Sequence, residues 1–190
     1  MTLTFRVRWR QHRPRFVHPM PAAARTVVFE PLFRKSSQCL YVDPFAPGAA
    51  QQIREFRPAV IAGTLQKILA FGGELRPTHA VVAFSWEGSR CLSESERDDL
   101  WEAYHVPVFE QVITPDGRLV AWECEAHEGL HLPNGAQAMA DRIVVGRCDC
   151  GADSPRVIRP SMAPQLNGER GQPTLLLPAR LGSGRQPLPM

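Results

Sequence analysis

The sequence predicts an α/β fold with a mostly parallel sheet, crossover helices and an antiparallel edge hairpin. Strand-like and helix-like segments alternate through residues 57–124. Such alternation is typical of parallel strands joined by right-handed crossovers. At the end of this stretch, the strand-like residues 106–113 and 119–124 flank Thr114-Pro-Asp-Gly117. A turn sequence between two apolar runs predicts a hairpin, which adds an antiparallel edge to the sheet.

Short apolar runs mark the remaining predicted strands. Residues 59–62 and 79–84 are almost wholly apolar, as expected of strands that are buried on both faces. Residues 26–29 and 39–42 also suit short strands. Residues 142–146 predict a last short strand that leads into Cys148.

Two helices are predicted between the early strands. Residues 49–56 have helical apolar spacing, and Pro58 ends this helix because the residue before a proline, Arg57, is disfavoured in the α conformation. Residues 65–69 form a second apolar stripe of helical period, and Thr64 is suited to be its N-cap.

A third helix is predicted to begin at a capping box. Ser93 is followed three residues later by Glu96, which is the spacing of a reciprocal N-terminal cap. The helix is expected to run to about Tyr104, with Leu100, Trp101 and Tyr104 facing inward.

The charge is segregated along the chain. Residues 1–40 carry eight basic side chains and one acidic, residues 41–150 carry nine and sixteen, and residues 151–190 carry five and two. With the proline content of the last segment, this pattern predicts a basic, flexible leader over residues 1–25 and a disordered tail over residues 152–190. The α/β domain with its Cys/His cluster then occupies residues 26–151.

Cysteine usage and hydropathy favour a reducing compartment. Five cysteines are too few, and odd in number, for a disulfide scaffold. The sequence contains neither an 18-residue apolar run nor an apolar signal core, so no membrane span is expected. A cytoplasmic location follows as an expectation, in which the cysteines stay thiols or bind metal.

The chemistry of the chain is concentrated in Cys124-Glu-Ala-His-Glu-Gly-Leu-His131 and Cys148-Asp-Cys150-Gly151. These 28 positions hold three of the five cysteines and two of the six histidines. Thiolate and imidazole are the ligands that zinc takes in tetrahedral structural sites. The alternative interpretation is that they are unligated thiols and ordinary surface histidines.

Several segments, taken in order, resemble the phenylacetate–coenzyme A ligase branch of the adenylate-forming enzymes. They include Arg-Pro-Ala-Val-Ile-Ala-Gly-Thr (57–64), Ser-Trp-Glu-Gly (85–88), Leu-Trp-Glu-Ala-Tyr-His-Val-Pro-Val-Phe-Glu (100–110) and Ala-Trp-Glu-Cys-Glu-Ala-His-Glu-Gly-Leu-His (121–131). The resemblance covers residues 43–158 and implies part of the large N-terminal ligase domain. It also implies a zinc site whose matching positions are Cys124, His131, Cys148 and Cys150. His127 competes as an alternative ligand.

The sequence departs from that family where nucleotide chemistry is carried. It lacks the Ser/Thr/Gly-rich phosphate loop with its lysine, the ribose-binding Arg-Tyr-Arg-x-Gly-Asp segment, and a C-terminal lid domain with a catalytic lysine. Glu110-Gln-Val-Ile-Thr-Pro-Asp-Gly117 stands where the family has a Tyr-Gly-x-Thr-Glu-like motif. Without these groups the phosphate charge has no electrostatic stabilisation, and no catalytic residue is predicted.

Three functions remain open at this point. The first is a truncated, non-catalytic ligase-like domain with a structural zinc site that binds a small ligand or a partner. The second is an acyl- or aryl-CoA ligase, or one subunit of a split ligase, which would require ATP, CoA and a protein partner that supplies the missing elements. The third is a nucleic-acid or anionic-surface binder that uses the Arg-rich ends, although no nucleic-acid fold signature accompanies those arginines.

Overall fold

The computed structural model describes residues 13–19, 24–133, 143–144 and 146–157. These residues contain nine strands and three helices. The strands are β1 (Thr26–Val28), β2 (Cys39–Tyr41), β3 (Val60–Thr64), β4 (Ala80–Trp86), β5 (Val108–Ile113), β6 (Leu119–Glu123), β7 (Leu130–His131), β8 (Ile143–Val144) and β9 (Arg156–Val157). The helices are α1 (Ala49–Phe56), α2 (Leu65–Leu69) and α3 (Glu94–Tyr104).

All nine strands belong to one mixed sheet with the order β2-β1-β3-β4-β5-β6-β7-β9-β8. The pairs from β2 to β5 are parallel, and every pair from β5 to β8 is antiparallel. The predicted fold class, a mostly parallel α/β sheet with an antiparallel edge, is therefore confirmed. The predicted hairpin is β5–β6, but β6 is not the outermost strand, because β7, β9 and β8 extend the sheet beyond it.

The two faces of the parallel part are covered differently. On one face, alternating side chains such as Val27, Ile61 and Val81 pack against all three helices. On the other face, Val82 and Phe84 pack with aromatic side chains from coil segments. The residues of this second core, within the described part of the chain, come from strands and coil and include Phe16, Leu32, Phe33 and Leu119.

The helix ends follow their sequence signals with one difference, at the start of α2. The capping box is present, since Ser93 and Glu96 each accept the other's backbone N–H. Arg57 ends α1 in the left-handed conformation (φ 50°), outside the right-handed α region that Pro58 disfavours for it. Thr64 precedes α2 without a side-chain cap: its hydroxyl donates to Glu30 (3.2 Å) and accepts no backbone N–H of the helix.

Trp101 is not an inward-facing residue. Its side chain is 52% exposed, whereas Leu100 and Tyr104 are buried as expected. Residues 100 and 104 are four apart and share one helix face, while residue 101 is rotated by about 100° from residue 100. Trp101 stacks edge-on against His105 at the surface.

Ordered structure is also found outside residues 26–151. Phe16 packs edge-on against Phe33, with ring centroids 5.6 Å apart. At the other end, β9 pairs with β7 and β8. The rest of the predicted leader (residues 1–12 and 20–23) and tail (residues 158–190) lies outside the described residues.

In the ranges that the structure covers, no helix combines the length and the apolar character that crossing a membrane needs.

Candidate metal centre

The β6–β7 hairpin places the first two candidate ligands. β6 ends at Glu123, so Cys124 is the first residue of the connecting loop. The loop turns where the His127 N–H donates to the Cys124 carbonyl (3.0 Å), and Gly129 then adopts a φ of 123°. β7 returns with His131 opposite Trp122. The imidazole stacks on the indole ring at 5.3 Å and is fully buried.

A tight turn before β9 places the other two candidate ligands, Cys148 and Cys150. The Gly151 N–H donates to the Cys148 carbonyl (2.8 Å), and the Cys148 N–H donates to the Ala152 carbonyl (2.9 Å). Gly151 has a φ of 88°, a conformation that side-chain-bearing residues rarely adopt. This turn supplies the bend that brings the thiols of Cys148 and Cys150 to the same point.

The four side chains converge on one another. The ligand atoms of Cys124, His131, Cys148 and Cys150 all lie within 4.8 Å of one another. The two sulfurs of Cys124 and Cys148 are 3.6 Å apart. The Nε2 atom of His131 is 3.2 Å from Cys124 Sγ and 3.5 Å from Cys150 Sγ.

The three distances given above lie within about 0.4 Å of the edges of a zinc tetrahedron, and every other pair of ligand atoms lies within 4.8 Å. With Zn–S bonds of about 2.3 Å and a Zn–N bond of about 2.05 Å, tetrahedral geometry requires about 3.8 Å between sulfurs and about 3.6 Å between sulfur and nitrogen. The sulfur–sulfur distance also greatly exceeds the roughly 2.05 Å of a disulfide. The cluster thus has the shape and the donor types of a site that can hold a metal ion.

Hydrogen bonds orient the ligands from outside. Ser154 Oγ lies 2.7 Å from His131 Nδ1, so the hydroxyl fixes the ring with Nε2 toward the sulfurs, as metal-bound histidines require. Burial, aided by the Arg156 guanidinium, holds the pKa of His131 below its ordinary value. The imidazole is therefore neutral at pH 7, the form that ligates metal.

The thiols differ in their surroundings. Burial raises the pKa of Cys124 to about 12, so without a cation this group stays protonated. Burial also opposes the Cys150 thiolate, but the Ala152 amide and the neighbouring thiols outweigh it and the pKa of Cys150 is lowered. A divalent cation is the group that would stabilise all three thiolates together.

Arg156 is a site residue that sequence reasoning missed. It is 8% exposed, and it forms an ion pair with Glu128, whose carboxylate is 3.5 Å from Cys148 Sγ. The Arg156 guanidinium balances the Glu128 carboxylate, so this acidic group adds no net charge beside the thiol of Cys148. The only sequence signal was a basic residue six positions after the last cysteine.

His127, the alternative ligand, is not part of the cluster. Its Nδ1 atom lies 3.0 Å from Glu123 Oε1, and its ring stacks on Phe109 at 5.1 Å. The nitrogen that converges with the three sulfurs belongs to His131 and not to His127.

A buried ionic network adjoins the cluster and was also missed. Glu110 and Glu123 are at most 1% exposed and share Arg97. Glu110 also accepts hydrogen bonds from the Ser85 hydroxyl and the Leu92 N–H (3.0 Å), and Glu123 accepts from the Glu110 N–H (2.9 Å). The network joins β4, β5, β6 and α3. Acidic residues within otherwise apolar strands were the available signal.

A cleft lies at the carboxyl ends of β3 and β4. Its volume is about 590 Å³, and Thr64, Phe84, Trp86 and Leu92 contribute to its walls. Ligands of open α/β sheets bind outside the carboxyl ends of the strands. The charges in the walls are paired, Lys67 with Glu30 and Arg90 with Glu96.

Comparisons with known proteins show a distant similarity among solved structures, whereas the comparisons with family models and curated proteins found no match. Among solved structures, the chain is similar to an open conformation of 2-hydroxyisobutyryl-CoA ligase in complex with 2-HIB-AMP and CoA. The match has 18% identity and a TM-score of 0.36, and it covers 63% of this chain. The chain spans only 28% of that ligase.

Proposed function

We propose that this chain is a zinc-stabilised binding module related to the adenylate-forming ligases, without ligase activity of its own. The observation that carries the proposal is the convergence of three sulfurs and one nitrogen on a single point. The relation to ligases is supported by the sequence segments between residues 57 and 131 that resemble the ligase family and occur in the same order. The module would bind a small acyl or aryl ligand, or a protein partner, through the rest of its α/β body.

Zinc is the metal that the ligand set favours. Thiolates select soft or borderline cations, and a tetrahedral set of sulfur and nitrogen is typical of zinc. Four protein ligands leave no position for a catalytic water or a substrate, so the role of the ion would be structural. It would join the β6–β7 loop, β7 and the turn before β9.

The position of Glu110 supports a non-catalytic role. It follows the Val-Pro-Val-Phe strand, where the resembling family places its nucleotide-binding motif. In this chain Glu110 is fully buried and bonded to Ser85, Leu92 and Arg97. A carboxylate engaged in this way inside the domain does not face a cleft where it could hold a nucleotide-bound magnesium ion.

Metal analysis tests the proposal. The chain, purified without chelator and dialysed, should retain about one equivalent of zinc. A Cys148→Ser variant should lose it, whereas the matched control Cys39→Ser should retain it, because Cys39 lies in β2. Less than about a tenth of an equivalent in the wild-type chain would contradict the proposal, since structural sites of this kind bind far more tightly than dialysis can reverse.

The split-ligase function is the second candidate, and the 590 Å³ cleft favours it. In this case the cleft would accept the acid substrate, and a partner chain would supply the phosphate-binding loop and the lid. ATP–pyrophosphate exchange measured with and without co-purifying proteins separates the two candidates. Acid-dependent exchange only with a partner supports the split ligase, and no exchange in either sample supports the binding module.

A further inference from the structure

A second cavity lies between residues 13–19 and the loop that leads into β2. Its volume is about 470 Å³, within the range of small-molecule sites. It is separate from both the Cys/His cluster and the cleft at the carboxyl ends of β3 and β4, since it shares no lining residue with either. The lining residues are Arg15, Phe16, His18, Arg34, Lys35, Ser36, Gln38 and Cys39.

Both walls of this cavity are held in place. The Arg34 N–H donates to the Pro14 carbonyl (2.9 Å), which joins the two chain segments directly. Gln111, from β5, donates to the Val17 carbonyl (2.7 Å). Phe16 packs against Phe33, and its ring centroid is 6.2 Å from that of Phe84. The cavity is thus formed by segments anchored on the sheet.

The cavity is positively charged. Arg15, Arg34 and Lys35 line it, and the lining contains no acidic side chain. None of these three cations forms an ion pair with any carboxylate of the described segments. This differs from the larger cleft, where each cation has an acidic partner. Like charges around one concave surface repel, and an anion bound between them relieves that repulsion.

We infer that this cavity is a binding site for a small phosphate-bearing molecule. Two guanidinium groups and an ammonium group match the charge and the oxygen geometry of phosphate. Ser36 and Gln38 add hydrogen-bond donors, and Phe16 and Cys39 provide an apolar wall for an organic part of the ligand. The site does not depend on the metal or on a ligase partner.

Calorimetric titration of the full, metal-loaded chain with inorganic pyrophosphate tests the inference, with ADP as a second probe. Ionic strength is held constant, because screening alone changes the affinity of exposed charges. We expect saturable one-to-one binding of both probes. Arg34→Gln and Lys35→Gln should each weaken binding about tenfold, since each removes one charge-assisted contact. All three cations are exposed, so these substitutions should leave folding intact.

Arg54→Gln is the matched control. Arg54 is an exposed arginine of α1 that does not line this cavity, so its loss removes the same charge elsewhere and should leave the affinity unchanged. Three results would overturn the inference: no saturable binding of either probe, equal weakening by Arg54→Gln and Arg34→Gln, or binding only to a single-stranded oligonucleotide. The last result would mark a nucleic-acid contact instead. Zinc content and ATP–pyrophosphate exchange are measured separately, so failure here leaves the proposed function standing.

Discussion

Removing the metal should release one end of the sheet and leave the parallel part folded. β7 and β9 are two-residue strands, and they pair with their neighbours through only two residue pairs each. The apolar core beneath them is small. Its buried members are Val112, Ala121, Leu130 and Leu132.

The free energies indicate why the metal matters there. Ordering the backbone of the 16 residues in 130–133 and 146–157 costs about 16 kcal/mol, even at the low value of about 1 kcal/mol per residue. Burying the three larger apolar side chains returns about 5–9 kcal/mol. Apolar burial thus falls short of the ordering cost by about 7–11 kcal/mol. This shortfall is comparable to the free energy of about 10–16 kcal/mol that structural zinc contributes in small domains.

Hydrogen exchange before and after chelation directly measures how much of the sheet is released when the metal is removed. We expect amides of residues 130–133 and 146–157 to lose protection at least about a thousandfold, equivalent to about 4 kcal/mol. Amides of β3, β4 and β5 should keep theirs, since those strands pack in the two larger cores. Unchanged protection of residues 146–157 in chelated protein would refute the reasoning.

Three further predictions concern single side chains. Arg97→Met removes the cation shared by two buried carboxylates, so urea denaturation should show that the free energy of unfolding falls by about 3–5 kcal/mol. The control Arg90→Met should lower it by less than about 1 kcal/mol, because the Arg90 side chain is 70% exposed. Equal losses would contradict a buried network. Hydrogen bonding to Arg90, and then to the Ser93 amide, lowers the pKa of Glu96 from 4.5 to about 2. The contribution of Glu96 to stability is therefore present above pH 4.5 and is lost as the pH falls toward 2. Glu96→Gln should flatten the dependence of the unfolding free energy on pH over that range, and an unchanged slope would count against the prediction. Cys150→Ser should reduce zinc retention in dialysis at least about tenfold, and the control Cys39→Ser should not; equal retention would remove Cys150 from the ligand set.

The sequence predicted the elements whose signals are local. Alternation of apolar strands with helical stripes was enough for the parallel sheet, because both periods are visible in short windows. The capping box at Ser93 was correct for the same reason. The Thr64 cap was not, since the Thr64 side chain is placed by a hydrogen bond to Glu30, a residue 34 positions away that no local pattern reveals.

The sequence predicted the members of the candidate site better than it predicted the residues that surround them. The clustering of Cys and His marked the region, the family resemblance pointed to the four side chains that come together, and the sequence left His127 as an alternative. The choice of His131 depends on the register of β6 with β7, which sets Trp122 opposite His131. Arg156 and Ser154 were missed because they reach the cluster only through β9 and its preceding turn.

The division of the sheet has a consequence for the order of assembly during synthesis. β1 to β5 and all three helices are contained in residues 26–113, whereas the four cluster side chains are spread over residues 124–150. The parallel body can therefore form on the ribosome before the last thiol emerges. Until then the ligand set is incomplete, so the metal would bind as the last step of assembly, onto a parallel body that has already folded.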